Sequence, residues 1–208
     1  MRWIASMVAL IAVTGLPGAV SAQDRLPPIA PDKLTEAQVK AIEEFKAARS
    51  ADVTGPFVPL LRSPEAMNRV RALGDYLRFR SALPPRLSEF VILLTARQWT
   101  QRYEWGAHAP IARQAGVSDA TIAAIAEGRR PDRMTEDEDV LYALHDELRR
   151  TGGVSDATYA KAVARFGEKG VVDAIGITGY YTLLAMVLNV ARTPASDAVT
   201  SALPTFPK

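Results

Sequence analysis

Residues 86–116 read RLSEFVILLTARQWTQRYEWGAHAPIARQAG. Leu87, Phe90, Val91, Leu93, Leu94 and Trp99 make the first half apolar over most of a helical circumference, which predicts a central helix over about 86–100. The second half predicts another helix over about 103–115, with Gly116 suited to the position just past its end. Pro110 fits only an early helical turn unless it kinks the helix, so the start of this helix is also open to a reading nearer residue 107.

The same punctuation extends in both directions. Thr35-Glu36-Ala37-Gln38 is a capping box that opens a helix over about 36–50. The stretch VTGPFVPLLRSP, with three prolines, reads as a loop. Ser63-Pro64 is an N-cap and first-turn pair for a helix through Met67, Val70, Leu73 and Leu77 to about Ser81, and Leu83-Pro84-Pro85 stops it. Ser118 caps a short helix over 119–127, Thr135-Glu136-Asp137-Glu138 is a second capping box, and Thr151-Gly152-Gly153 ends the helix it opens. Ser155 caps a helix to about Phe166, and residues 168–192 form a long one. Its apolar body is interrupted by Asp173, two glycines and two tyrosines, which suits burial in protein and not in lipid. No segment alternates at period two, so the fold class is all-α: a single-domain bundle of about seven or eight helices.

The first residues are of a different kind. Arg2 precedes an apolar run from Ile4 to Leu16, Pro17-Gly18 breaks it, and Val20-Ser21-Ala22 places small residues before Gln23. This predicts a signal peptide over 1–22 and a periplasmic or secreted protein, the apolar run being short for a bilayer span. The expected division is then 23–62, an extension with one helix; 63–194, the helical domain; and 195–208, a loose tail. Removing 1–22 takes away Arg2 and no acid, leaving 24 basic against 23 acidic residues. A balance of +1 gives no case for nucleic acid. The chain has no cysteine, which removes disulfides and every thiol mechanism.

Glu104 and His108 stand four residues apart on one helix face, near the positive end of the helix dipole. Tyr103 and Trp105 flank them and are candidates for an apolar wall with polar tips. Glu89, in the mostly apolar helix before, needs a partner or a proton if buried, and a histidine on the neighbouring helix is a natural one. Such a pair suits acid–base catalysis. A plainer reading also stands: Glu89 facing water at a helix start, His108 a satisfied core histidine, and Glu104/His108 a surface pair worth a few tenths of a kcal/mol. With only two histidines in the chain, a metal site is the weakest option.

The segment from SEFVILLTAR through YEWGAHAPIARQAGVSDATIAAI, with GYYTLLAMVLNVARTP later, resembles the carboxymuconolactone decarboxylase family, whose fold is shared with the alkyl hydroperoxidase D proteins. The resemblance runs over about Ser63–Pro194 and is strongest over Pro84–Ile125. In the hydroperoxidase branch a Cys-x-x-Cys pair precedes the histidine; here Gln101 and Glu104 stand at those two positions, while Glu89 and His108 match the upstream glutamate and the histidine. Disulfide-based peroxide chemistry is therefore disfavoured. The decarboxylase branch uses no thiol and no cofactor. It removes CO2 from 4-carboxymuconolactone, which requires stabilisation of a dienolate and protonation at carbon. The resemblance implies His108 as proton donor or oxyanion stabiliser, Glu89 as the group that orients it, and Glu104 as a proton shuttle. Arg97 is a candidate for a substrate carboxylate, or for an ion pair with Glu89. Implied partners are a small lactone or organic acid and further copies of the chain, as trimer or hexamer. The alternative function is an exported, non-catalytic binding protein on the same fold.

Overall fold

The computed structural model describes residues 24–195 and Leu203. The expected signal peptide and most of the expected tail lie outside them. The described residues form eight α-helices: α1 (Glu36–Arg49), α2 (Phe57–Leu60), α3 (Pro64–Phe79), α4 (Pro85–Gln98), α5 (Arg102–Gln114), α6 (Asp119–Ala126), α7 (Glu136–Thr151) and α8 (Asp156–Ala191), with a 3-10 turn at Pro31–Lys33 and no strand.

α4 is the axis of the bundle. Leu87 through Arg97 are all buried, and α3, α5, α6, α7 and α8 pack around this one helix. Phe90 and Leu93 have no exposed surface, and they anchor a core that also takes in Trp105, Leu141, Ile177 and Tyr181. Leu203, from the segment beyond Pro194, is buried in the same core. A smaller cluster of Ala41, Phe45, Phe57, Leu61 and Met67 joins α1 and α2 to α3. Asp173 is buried inside the apolar body of α8, where Tyr76 Oη (3.0 Å), the Ala82 amide (2.7 Å) and Lys169 Nζ (2.7 Å) donate to it. α8 is long and apolar enough to cross a membrane, yet half of its most apolar stretch is buried inside the protein.

Both capping boxes form, at Thr35/Gln38 and Thr135/Glu138. α8 is broken at Gly167, whose φ of 67° is left-handed, so it consists of the two helices expected on either side. Three local expectations need correction. Residues 57–60 form a helical turn where a loop was expected, because Phe57 and Pro59 bury against the smaller cluster. Ser63 occupies the N-cap position of α3 but its side chain makes no capping bond; the start is set by Pro64 alone. α5 begins at Arg102, so Pro110 lies inside it. Proline there removes the bond to the Gly106 carbonyl. Pro110 is exposed and Gly106 only half-buried, so that carbonyl is not stranded in the core.

The turn from α4 to α5 positions the site. Thr100 adopts φ 47°, the Gln101 amide bonds back to the Ala96 carbonyl (2.8 Å) and the Thr100 amide to that of Arg97 (2.9 Å). This is a Schellman end with threonine in the position that favours glycine. Gln101 then caps α5, its side-chain oxygen accepting from the Tyr103 amide (2.6 Å), while its Nε2 donates to Asn189 Oδ1 on α8 (2.8 Å). The residue that stands where a cysteine would be is thus a capping residue that locks α5 to α8.

Candidate active site around His108

α4 and α5 pack closely, and this brings Glu89 against His108. His108 Nδ1–H donates to Glu89 Oε2 at 2.7 Å. On the other side of the ring, Nε2 lies 3.6 Å from Glu104 Oε2. His108 is 5% exposed, Glu89 6% and Glu104 3%. These are buried groups, so the surface-pair reading of Glu104/His108 does not apply. Tyr181 of α8 meets the imidazole edge-on, ring centroids 5.0 Å apart, and so fixes it from a third direction.

Glu104 is the unusual member. Burial raises its pKa above the ordinary 4.5. His108 and Arg78 oppose the shift and Glu89 adds to it, but loss of water dominates. Its Oε1 is buried and has no hydrogen-bond partner among the described residues. A carboxyl held in its neutral form is a proton donor at a pH where an ordinary glutamate is not.

The three groups meet at a cavity of about 200 Å³. Tyr103, Glu104, Ala107 and His108 of α5 line one wall, Tyr180, Tyr181 and Leu184 of α8 another, and Arg78 of α3 stands beside them. Phe45 and Arg49 of α1 and residues of the 51–57 segment close it over. Glu89 is not on the cavity surface; it stands behind His108. Tyr103 closes tightly on the 51–57 segment: a Cβ on Gly55, whose φ is +57°, would lie 2.5 Å from the Tyr103 hydroxyl. Burial raises the Tyr103 pKa, with Glu104 adding to the shift and a bond to Thr54 opposing it. Burial also pushes Tyr180 up to about 12 and Tyr181 well above 10, so both phenols stay neutral. Gly74 of α3 leaves the room that the Tyr180 hydroxyl occupies, since a Cβ there would lie 2.2 Å from it.

Of the residues singled out in the sequence, the structure brings together His108, Glu89, Glu104 and Tyr103. It sets two apart. Trp105 is buried in the main core, and Arg97 lines a different cavity, of about 180 Å³, with Gln98, Tyr142 and His145. The reason is helical geometry, at about 100° per residue. Positions 103, 104, 107 and 108 share a face, and 105, 109 and 112 turn inward. Arg97, eight residues after Glu89, has rotated roughly 80° away from it. The cavity residues that sequence reasoning missed are Arg49, Arg78, Tyr180 and Tyr181. They come from three helices distant in sequence, and none sits in a motif.

The family model for the carboxymuconolactone decarboxylase family matches residues 64–145. That span holds α3, α4, α5 and α6, and with them Glu89, Glu104 and His108. Over those residues the chain is similar to that family. No curated protein matches it. Among solved structures, the chain is similar to a cysteine-to-alanine variant of the debrominase Bmp8 in complex with 2,3,4-tribromopyrrole. The two are 11% identical with a TM-score of 0.66, over 88% of this chain and 97% of that one. It is also similar to the alkylhydroperoxidase AhpD core of an uncharacterized peroxidase-related protein from Ralstonia eutropha JMP134, at 17% identity and TM-score 0.66, over 84% and 93% of the two chains. A peroxidase-related protein from Silicibacter sp. TM1040 is 15% identical with a TM-score of 0.64, over 90% and 98%. At these identities the likeness is one of fold: the described residues have the all-helical AhpD-like architecture.

Proposed function

We propose that this chain belongs to the carboxymuconolactone decarboxylase family and is a cofactor-free acid–base enzyme, a carboxy-lyase or isomerase that works on a small unsaturated lactone or carboxylate. The observation that carries the reading is the buried chain Glu89–His108–Glu104 against one cavity, with an oriented imidazole between a hydrogen-bonding carboxylate and a carboxyl whose pKa burial raises. In decarboxylation of 4-carboxymuconolactone the bond from the ring to the carboxylate carbon breaks, CO2 leaves, and the electron pair spreads into the lactone as a dienolate. A proton then adds to carbon, giving an enol-lactone. Here Glu104 supplies the proton and His108 Nε2 passes it on, while Glu89 holds Nδ1–H and stabilises the imidazolium that forms in transit. Water outside the cavity resupplies Glu104. Glu89 is a positioning residue, since it does not reach the cavity.

The complete absence of cysteine disfavours hydroperoxidase chemistry. Export through residues 1–22 and self-association belong to the same proposal. Self-association is supported by an exposed apolar stripe on α8, where Val172 and Val190 are 66% and 63% exposed and Ile175, Leu183 and Met186 lie between them. The test is CO2 release from 4-carboxymuconolactone by the protein lacking residues 1–22, beside His108→Ala. Turnover that the substitution abolishes is expected. Absence of turnover by the unsubstituted protein contradicts the named reaction.

A further inference from the structure

The cavity carries a polar side chain that the proton path does not use, Arg78. Two arginines line the cavity. Arg49 is committed: its guanidinium bonds to Asp75 Oδ1 (2.9 Å from Nε, 2.8 Å from Nη2) and lies over the rings of Phe45 and Phe57 at 5.2 and 4.7 Å. Arg78 makes no hydrogen bond or ion pair among the described residues, and its one ring contact is with the exposed Phe79, at 5.3 Å. It is nonetheless close enough to act electrostatically on Glu104, Tyr180 and Tyr181.

We propose that Arg78 is the anion-binding residue of this cavity, and that the ligand is a small unsaturated carboxylate that sets a carboxylate on Arg78 and its ring among the aromatic side chains of the cavity wall. The inference rests on the acid–base reading for its chemistry but not for its test. A guanidinium is the side chain best matched to a carboxylate, through two parallel bonds. The cavity walls are aromatic: Phe45, Phe57, Tyr103 and Tyr180 suit a flat, unsaturated ring. The volume, about 200 Å³, lies below the roughly 300–1,000 Å³ of sites for drug-sized ligands, which favours one ring with few substituents. Arg97, which the sequence offered for this task, lines the other cavity.

The test is isothermal titration calorimetry of the protein with 2-furoate and with the neutral furan-2-carboxamide, for the unsubstituted chain, Arg78→Gln and Arg78→Lys. Arg78 is only half-buried, so both variants are expected to fold. Binding of 2-furoate in preference to the amide is expected, with a loss of roughly tenfold or more in Arg78→Gln and partial recovery in Arg78→Lys. The amide should bind both variants as it binds the unsubstituted protein. Equal binding of 2-furoate by Arg78→Gln, equal binding of acid and amide, or no binding of either overturns the proposal. None of these needs turnover. They are therefore separable from the His108→Ala experiment, which can fail while Arg78 still binds the acid.

Discussion

The chain has two histidines, and the fold buries them to nearly the same degree: His108 is 5% exposed and His145 is 6%. Each lines a cavity of similar size. Their surroundings differ. His108 has a carboxylate at 2.7 Å on one ring nitrogen and a carboxyl at 3.6 Å on the other. His145, on α7, has the Thr95 hydroxyl at 3.3 Å from Nε2, and Thr95 Oγ1 is itself bonded to the Val91 carbonyl at 2.9 Å. Burial drives the His145 pKa down to about 4, with the nearby Arg149 adding to the shift and Asp146 opposing it. Burial and Arg149 thus favour the neutral imidazole of His145. In the proposed function it is the pair of acidic groups, one on each ring nitrogen, that fits His108 for proton transfer.

The largest effect expected of this contrast is kinetic. His108→Ala should lower turnover by roughly 10²–10⁴-fold, the usual worth of a positioned acid–base group, whereas His145→Asn should leave kcat nearly unchanged. Steady-state rates of the two variants side by side check this, and equal losses would break the comparison.

The second effect is on stability. His145 takes up a proton less readily when folded than when unfolded. Stability present above pH 6.5 is thus lost as pH falls from about 6.5 towards about 4. The full loss is worth about 3 kcal/mol. Denaturant unfolding across that range should show it, and His145→Asn should flatten that limb of the profile.

Third, Glu89→Gln keeps the shape of the His108 contact but removes the charge. It should lower kcat by about 10–100-fold with little change in KM, as for other groups that orient a reacting residue. A change in KM alone would place Glu89 in binding instead.

The smallest effect has the opposite sign to that of His145. Glu104 has a raised folded pKa, so the folded state holds its proton more tightly, and stability falls as pH rises above 4.5. Glu104→Gln should therefore stabilise the protein at neutral pH while depressing turnover. Thermal melts at neutral and acid pH check both halves.

Much of the fold was legible because helix ends are local. Thr35/Gln38, Thr135/Glu138, Ser118 and Ser155 each satisfy backbone donors within three residues, and such signals need no knowledge of tertiary contacts. The pairing of Glu89 with His108 was legible for a related reason, since a carboxylate in the apolar face of a helix must find a donor. Helix α2 was not legible, because its four residues are held by packing against Phe45 and Met67. Trp105 was misplaced on the cavity because adjacency in sequence turns a side chain through about 100° on a helix. Arg78 and the tyrosines of α8 were invisible because only the packing of α3 and α8 beside α5 brings them to the cavity.

Beside His108 stands a carboxyl that burial makes slower to give up its proton. This is tested most directly by ¹³C titration of the Glu104 side chain in the folded protein, with the resonance assigned by its loss in Glu104→Gln. A midpoint above 4.5 is expected. A midpoint at or below 4.5 would make Glu104 an ordinary carboxylate and contradict the proposed proton path.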